Sequence, residues 1–263
     1  MSLFTAVEMA PRDPILGLNE QFAADTNPAK VNLGVGVYYD ENGKLPLLQC
    51  VQEAEKRMMA SPTARGYLPI DGIAAYDSAV KSLVFGADSE PVKSGRVATV
   101  QAVGGTGGLK IGADFLRKLS PGAKVMISDP SWENHLALFR NAGFDVDYYP
   151  YYDAQNRSID FAGMKAALAA AAPGTIVVLH ACCHNPTGYD ISAAQWDAVV
   201  AICKAGKLTP FLDMAYQGFG FGLQEDGAAV QKFVAAGLNF LVSTSFSKSF
   251  SLYGERVGAL SVL

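Results

Sequence analysis

A hydroxyl-rich stretch near the C-terminus, Ser243-Thr-Ser-Phe-Ser-Lys-Ser-Phe-Ser251, sets Lys248 among serines and between Phe246 and Phe250. Crowded, partly apolar surroundings disfavour the ammonium form, and a neutral amine is a nucleophile near neutral pH. Arg256 follows in the same segment and offers a permanent cation with a planar fork of donors suited to phosphate. Asp213 closes the apolar run Thr209-Pro-Phe-Leu212, where a carboxylate is costly without a cationic partner. Capping the segment that follows is the other common role for an aspartate there. Gly104-Gly-Thr-Gly-Gly108 would present bare backbone N–H groups at a helix start, a cradle for phosphate or simply a turn. It has neither the G-x-G-x-x-G spacing of a dinucleotide site nor a Walker lysine. His135, His180 and His184, with the cysteines beside them, do not fit zinc spacing, and no metal site is expected.

The elements that must position these groups read as an alternation of strands and helices. Strands are expected at 97–103, 124–128, 144–149, 175–179, 209–212 and 238–242, and a final one runs from Arg256 to Leu263. Helices are expected at 108–119, 132–141, 164–172, 193–204 and 228–236 between them. Before this series, Asp13 and Pro14 look like the cap and first position of a helix to Phe22. Val31–Asp40 reads as extended before a turn at Glu41-Asn-Gly43, and helices follow at 48–59 and 73–85. Continuous apolar strands separated by helices predict a mostly parallel sheet covered on both faces. Ligands of such sheets bind at the carboxyl ends of the strands. That geometry brings Gly104–Gly107, Asp129–His135, His180–Gly188, Asp213–Tyr216 and Ser245–Lys248 to one rim.

Bulk properties narrow the partners. With 21 basic and 25 acidic residues in 263, there is no basic excess to suggest nucleic acid. No uninterrupted apolar run is long enough to span a membrane, and Met1–Glu8 lacks the pattern of a secretory signal. Cys50, Cys182, Cys183 and Cys203 form no C-x-x-C, so buried free thiols in a reducing cytoplasm are expected. Arg256–Leu263 reads as a strand that stops in mid-element, as a fragment of a longer protein would.

A phosphate cradle, a flat aromatic at Trp132, a buried anion and an activated lysine together match the demands of pyridoxal 5′-phosphate. Asn185-Pro-Thr-Gly188, Asp213-Met-Ala-Tyr216 and Ser245-Phe-Ser-Lys248 through Arg256 resemble the signature of class I, fold-type I aminotransferases. Gly34-Val-Gly-Val-Tyr38, Tyr67-Leu-Pro-Ile-Asp-Gly72, Ser131-Trp-Glu-Asn-His135 and Cys182–Gly188 resemble the aspartate and aromatic amino-acid branch. The resemblance implies an α/β, three-layer large domain over 47–263 with a mostly parallel seven-stranded sheet. Residues 1–46 would be an N-terminal arm and part of a small domain whose C-terminal portion lies beyond this chain. It implies a ping-pong exchange of an amino group between an aromatic or dicarboxylic amino acid and 2-oxoglutarate or oxaloacetate, in a cytoplasmic homodimer.

The roles implied are specific. Lys248 is the Schiff-base lysine and proton shuttle; Asp213 pairs with the pyridinium nitrogen, supported by His135. Tyr216 and Asn185 hydrogen-bond the cofactor's phenolic oxygen, and Trp132 stacks on its ring. Gly105, Thr106, Ser245 and Arg256 hold the phosphate, and Tyr67 reaches the phosphate of the neighbouring subunit. Gly36 lies where the family closes over its substrate, with Trp132 and Asn185 also on the substrate side. The family's carboxylate-binding arginines would fall after Leu263. Tyr39 and Leu45, where aspartate-specific relatives carry polar residues, tilt the expectation toward a broad aromatic-plus-dicarboxylate enzyme. Gly104 replaces a serine of many relatives, at the expense of one phosphate contact. Two other readings compete: a cofactor-binding but inactive fragment or sensor, and a serine acyl-enzyme built on Ser245-x-x-Lys248. The second lacks the S-D-N and K-T-G strings it would need.

Overall fold

The computed structural model describes residues 4–9, 16–32, 34 and 36–263. The expected cap at Asp13 and Pro14 lies outside them. The chain divides into two compact units, Met1–Pro46 and Leu47–Leu263. In the first, helix α1 spans Leu16–Ala24. Lys30 Nζ donates to the carbonyls of Phe22 and Asp25 at 2.5 and 2.6 Å, meeting acceptors that a helix C-terminus leaves open. The turn at 40–44 forms as expected, with Asp40 Oδ1 accepting from the amides of Asn42 and Lys44. Among the described residues, 31–40 form no strand.

The second unit begins with α2 (Gln49–Ala60), α3 (Ala74–Lys81), which runs into a π-helical turn at Ser82–Gly86, and α4 (Glu90–Lys93). The alternation follows: β1 (Ala98–Val103), α5 (Gly104–Leu119), β2 (Val125–Asp129), α6 (Glu133–Asn141) and β3 (Val146–Pro150). A small hairpin of β4 (Tyr152–Asp153) and β5 (Ser158–Ile159) interrupts it before α7 (Phe161–Ala169). Then come β6 (Ile176–His180), α8 (Ala193–Gly206), β7 (Thr209–Met214), α9 (Leu223–Asp226), α10 (Ala228–Ala235), β8 (Leu241–Ser245) and β9 (Val257–Val262).

Seven strands form one sheet in the order β1-β9-β8-β7-β6-β2-β3. All run parallel except β9, which pairs antiparallel with β1 and with β8. Alternation along each strand sorts the side chains into two cores. Val177, Leu179, Leu212, Met214, Val242 and Ala259 join Met164, Val199 and Phe233 on one face. Val178, Phe211, Leu241 and Leu260 join Leu109, Leu116 and Phe139 on the other. The result is the three-layer arrangement expected of buried parallel strands.

Helix α5 lies close to the sheet because small residues face it. A Cβ at Gly112 would sit 2.4 Å from Phe211, and one at Gly108 would sit 2.8 Å from the Ala259 carbonyl. Phe211 is fully buried and packs edge-on against Phe139, so it has nowhere to turn. Gly112→Val should therefore destabilise the fold by about 1–3 kcal/mol or more, read as a lower denaturant midpoint at unchanged slope.

Candidate active site

The antiparallel register of β9 builds one side of the site. Val257 pairs with Val103 and Gly258 with Ser245, so the start of β9 lies at the same rim as the ends of β1 and β8. Arg256, just before it, accepts the Gly104 amide on its carbonyl at 2.9 Å. The glycines are not a separate loop: they form the first turn of α5, whose leading N–H groups have no intrahelical acceptor. Each glycine has a local reason. A Cβ at Gly104 (φ +67°) would lie 2.7 Å from Arg256 Nη2, and one at Gly105 2.9 Å from the Ser245 Cβ. A Cβ at Gly258 would strike the Gly104 backbone at 2.3 Å. Ser243 Oγ donates to the Gly105 carbonyl at 2.8 Å, tying β8 to this turn. The guanidinium of Arg256 donates through Nη1 to the Tyr253 carbonyl at 3.1 Å and to Ser247 Oγ at 3.4 Å. Bare amides at a helix start, a cation and the hydroxyl of Ser245 thus meet at one point, with partly buried Thr106 on the same turn.

Lys248 follows β8 in a turn and is half-buried, with Nζ 4.9 Å from the Tyr216 ring centroid. Burial lowers its ammonium pKa below the usual lysine value; Asp213 opposes that effect and Arg256 adds to it. The lysine therefore lies within electrostatic reach of both the carboxylate and the guanidinium.

Asp213 does not cap a helix. It lies within β7, between His180 of β6 and Ser243 of β8, and is 5 % exposed. His135 Nε2 donates to its Oδ2 at 2.9 Å. A carboxylate only accepts, so this nitrogen carries a proton. Ser131 Oγ lies 2.9 Å from His135 Nδ1 and fixes the other side of the ring. Trp132 meets His135 edge-on at 5.4 Å, at the start of α6.

Behind Asp213 stands a row of histidines that sequence spacing did not foretell as a unit. His180 lies 4.9 Å from His135 and 4.3 Å from His184, centroid to centroid. Burial, then the two neighbouring imidazoles, hold the His180 pKa well below the ordinary value. His184 stacks on Tyr151 at 3.8 Å and 13°. Its Nε2 meets Ser128 Oγ and its Nδ1 meets Thr187 Oγ1, each at 2.9 Å. His135, His180 and Asp213 offer atoms close enough together for a metal ion, but His135 and Asp213 already satisfy one another.

Two loops deliver Asn185 and Tyr216. Asp190 accepts the amides of Cys183 and His184 at 2.7 and 2.8 Å and so shapes the loop bearing Asn185. The Cys183 thiol donates to the Tyr216 carbonyl at 3.9 Å, joining the two loops. Burial, then Asp213, raises the Tyr216 pKa, so its phenol is a donor at neutral pH.

Of the residues singled out from sequence, Gly105, Thr106, Trp132, His135, Asn185, Asp213, Tyr216, Ser245, Lys248 and Arg256 all lie on or just behind this rim. Tyr67 is fully exposed between α2 and α3, and Gly36 belongs to the N-terminal unit. All four cysteines are free, but Cys50 is exposed rather than buried because α2 buries none of its residues.

The histidine row makes stability sensitive to acid. His184 titrates near pH 4 in the folded protein, depressed by burial and then by His135, against an ordinary 6.5. The unfolded chain therefore binds the extra proton first, so this contribution is whole above pH 6.5 and is lost as pH falls toward 4. Urea titrations across that window should show a loss on the order of 3 kcal/mol from this group. The slope should be shallower in His184→Gln.

Comparison with known proteins follows the same lines. Residues 28–263 match the family model described as aminotransferase class I and II. The chain is 63% identical over its whole length to the aspartate aminotransferase of Pseudomonas aeruginosa, covering 66% of that protein. It is 52% identical to the aromatic-amino-acid aminotransferase of Escherichia coli, with 99% of this chain and 66% of that protein covered. The crystal structure of the Burkholderia pseudomallei aromatic-amino-acid aminotransferase, covalently bound to pyridoxal phosphate, superposes with a TM-score of 0.98 at 66% identity. All of this chain and 66% of that one are matched. The sheet order and crossovers are thus those of fold-type I, and the chain belongs to the class I and II aminotransferase family.

Proposed function

We propose that the protein is an aminotransferase that uses pyridoxal 5′-phosphate to exchange an amino group between an aromatic or dicarboxylic amino acid and 2-oxoglutarate or oxaloacetate. The observation that carries this reading is one rim holding Lys248, with its lowered pKa, beside the buried Asp213 and the glycine turn against Arg256. These residues fit the cofactor. The turn is bare where a Cβ at Gly104 or Gly105 would fill the space beside Arg256 and Ser245, which leaves amides, a guanidinium and a hydroxyl for a phosphate. When bound, pyridoxal phosphate supplies the electron sink for the bond broken at the substrate Cα.

The chain's own groups do the rest. With the cofactor bound, Lys248 Nζ would join its aldehyde carbon with loss of water and, once the substrate amine had taken that place, the freed amine would carry the proton to and from Cα. Asp213 would keep the ring nitrogen protonated, with His135 holding the carboxylate in place for it. Asn185 and Tyr216 would donate to the phenolic oxygen. Trp132 would cover one face of the ring, and Gly105, Thr106, Ser245 and Arg256 would hold the phosphate. The exposure of Tyr67 suits a residue that reaches the phosphate of a second copy, in a homodimer with shared sites. In this reading Leu47–Leu263 is the cofactor-binding domain. Met1–Pro46 is an arm and part of a small domain, and it carries Gly36, a residue assigned to the substrate side. Free thiols suit a cytoplasmic setting, and among the described residues no helix is long and apolar enough to cross a membrane. Relatives named for aspartate and for aromatic amino acids, with Tyr39 and Leu45 in the arm, support the broad substrate range.

Transfer from tyrosine, phenylalanine and aspartate to 2-oxoglutarate, compared by kcat/KM, tests the activity; absence of transfer from all three would sink it. Lys248→Ala should abolish the pH-dependent visible absorbance of the protein–cofactor complex, and a band that survived would remove Lys248 from its role. Asp213→Ala should lower kcat by roughly two orders of magnitude or more while weakening cofactor binding far less, because its role is electrostatic.

A further inference from the structure

Between Tyr216 and α9 the chain reads Gly218-Phe-Gly-Phe-Gly222, and the purpose of the alternating glycines is visible in the backbone. Gly218 (φ +96°) and Gly222 (φ +148°) take conformations that side chains resist. Gly220 is small for another reason: a Cβ there would lie 2.6 Å from Asp226 Oδ1. The loop curls so that three N–H groups converge on that carboxylate. Gly218 and Gly220 donate to Oδ2 at 2.8 and 2.9 Å, and Phe221 donates to Oδ1 at 2.9 Å. Backbone amides gathered this way make a nest for an anion, and here the anion is supplied by the chain itself. Asp226 is 4 % exposed, so these charge-assisted bonds are shielded from water. Among the described residues, every hydrogen bond its side chain accepts comes from this loop.

The loop's other end carries Tyr216. Its carbonyl accepts from the Phe219 amide at 3.0 Å and from the Cys183 thiol at 3.9 Å, so the turn that Asp226 freezes also sets the tyrosine's backbone. We infer that Asp226 is a positioning residue for the reaction: by filling the 218–221 nest it fixes Tyr216 where its phenol reaches the cofactor's phenolic oxygen. The inference rests on the role proposed above for Tyr216, and the experiment distinguishes its failure from the failure of that role.

The measurement is a pH titration of the visible absorbance of the protein loaded with pyridoxal 5′-phosphate. A donor to the phenolic oxygen stabilises its ionised form, so losing that donor raises the titration midpoint. Tyr216→Phe should raise it by about one pH unit, the size of one hydrogen bond to a charged group. Asp226→Asn keeps the shape but cannot accept at both positions, and should raise the midpoint by roughly half that shift or more. Gly220→Ala leaves the carboxylate in the chain, crowds it out of the nest and should act in the same direction. In a Tyr216→Phe background neither change should move the midpoint further, because both act through the missing phenol; a purely structural role would add its effect in either background. The inference is overturned if Tyr216→Phe shifts the midpoint while Asp226→Asn and Gly220→Ala do not, or if the shifts add. If Tyr216→Phe itself leaves the midpoint unmoved, the role of Tyr216 falls and takes this inference with it.

Discussion

A carboxylate buried in the middle of a parallel sheet has to be matched, and much of this molecule follows from how Asp213 is matched. Little water reaches it, so most of the solvation it lost must come from protein. His135 provides that through one hydrogen bond, and Ser131 holds His135 in turn. Trp132, His180 and His184 then close the space around the imidazole, with Ser128 and Thr187 occupying the nitrogens of the outermost ring. A charge that would otherwise destabilise the core is thereby kept oriented toward the rim, where Lys248 feels it. The same field works against the burial that weakens the lysine's hold on its proton, so the amine is tuned by two opposing effects.

The second constraint is the meeting of backbones at Gly104, Gly105 and Gly258. A side chain at Gly258 would strike the Gly104 backbone and separate β9 from α5, one at Gly105 would meet Ser245 of β8, and one at Gly104 would push against the Arg256 guanidinium. The glycines that looked like a flexible turn are spacers in a rigid contact. A serine at position 104 would require a different backbone here, since the position is left-handed and its Cβ direction is filled by Arg256.

What could be read from the sequence was what depends on local pattern. The alternation of apolar strands with helices gave the layers, and residues that follow strands were brought to one rim because sheet geometry leaves them nowhere else to go. Boundaries failed where tertiary partners overrule pattern. The hydroxyls of Ser243, Thr244 and Ser245 lie inside β8, not after it, because the flanking strands and the Gly105 carbonyl satisfy the backbone and the Ser243 side chain. β7 runs through Asp213 for the same kind of reason. Helix α7 starts three residues before the expected Met164, since Asp160 caps it by accepting the Gly163 amide at 2.8 Å. The hairpin of β4 and β5, with two residues a side, is too short to leave a periodic trace. Asp226 was invisible for a deeper reason: its partners are backbone amides, which every residue has. The glycines at 218, 220 and 222 were the available signal.

Strand β9 has a consequence for how the chain comes together. It is the sheet partner of β1 and covers the open side of β8, although about 150 residues separate it from β1. During synthesis β1 therefore leaves the ribosome long before anything can pair with it, and β8 has an open edge until β9 follows. Unpaired edges of apolar strands are the surfaces through which nascent chains associate wrongly. Strand β9, made after both, is thus the one that turns these two sticky edges into the interior of a sheet, and the same movement carries Arg256 to its place against Gly104.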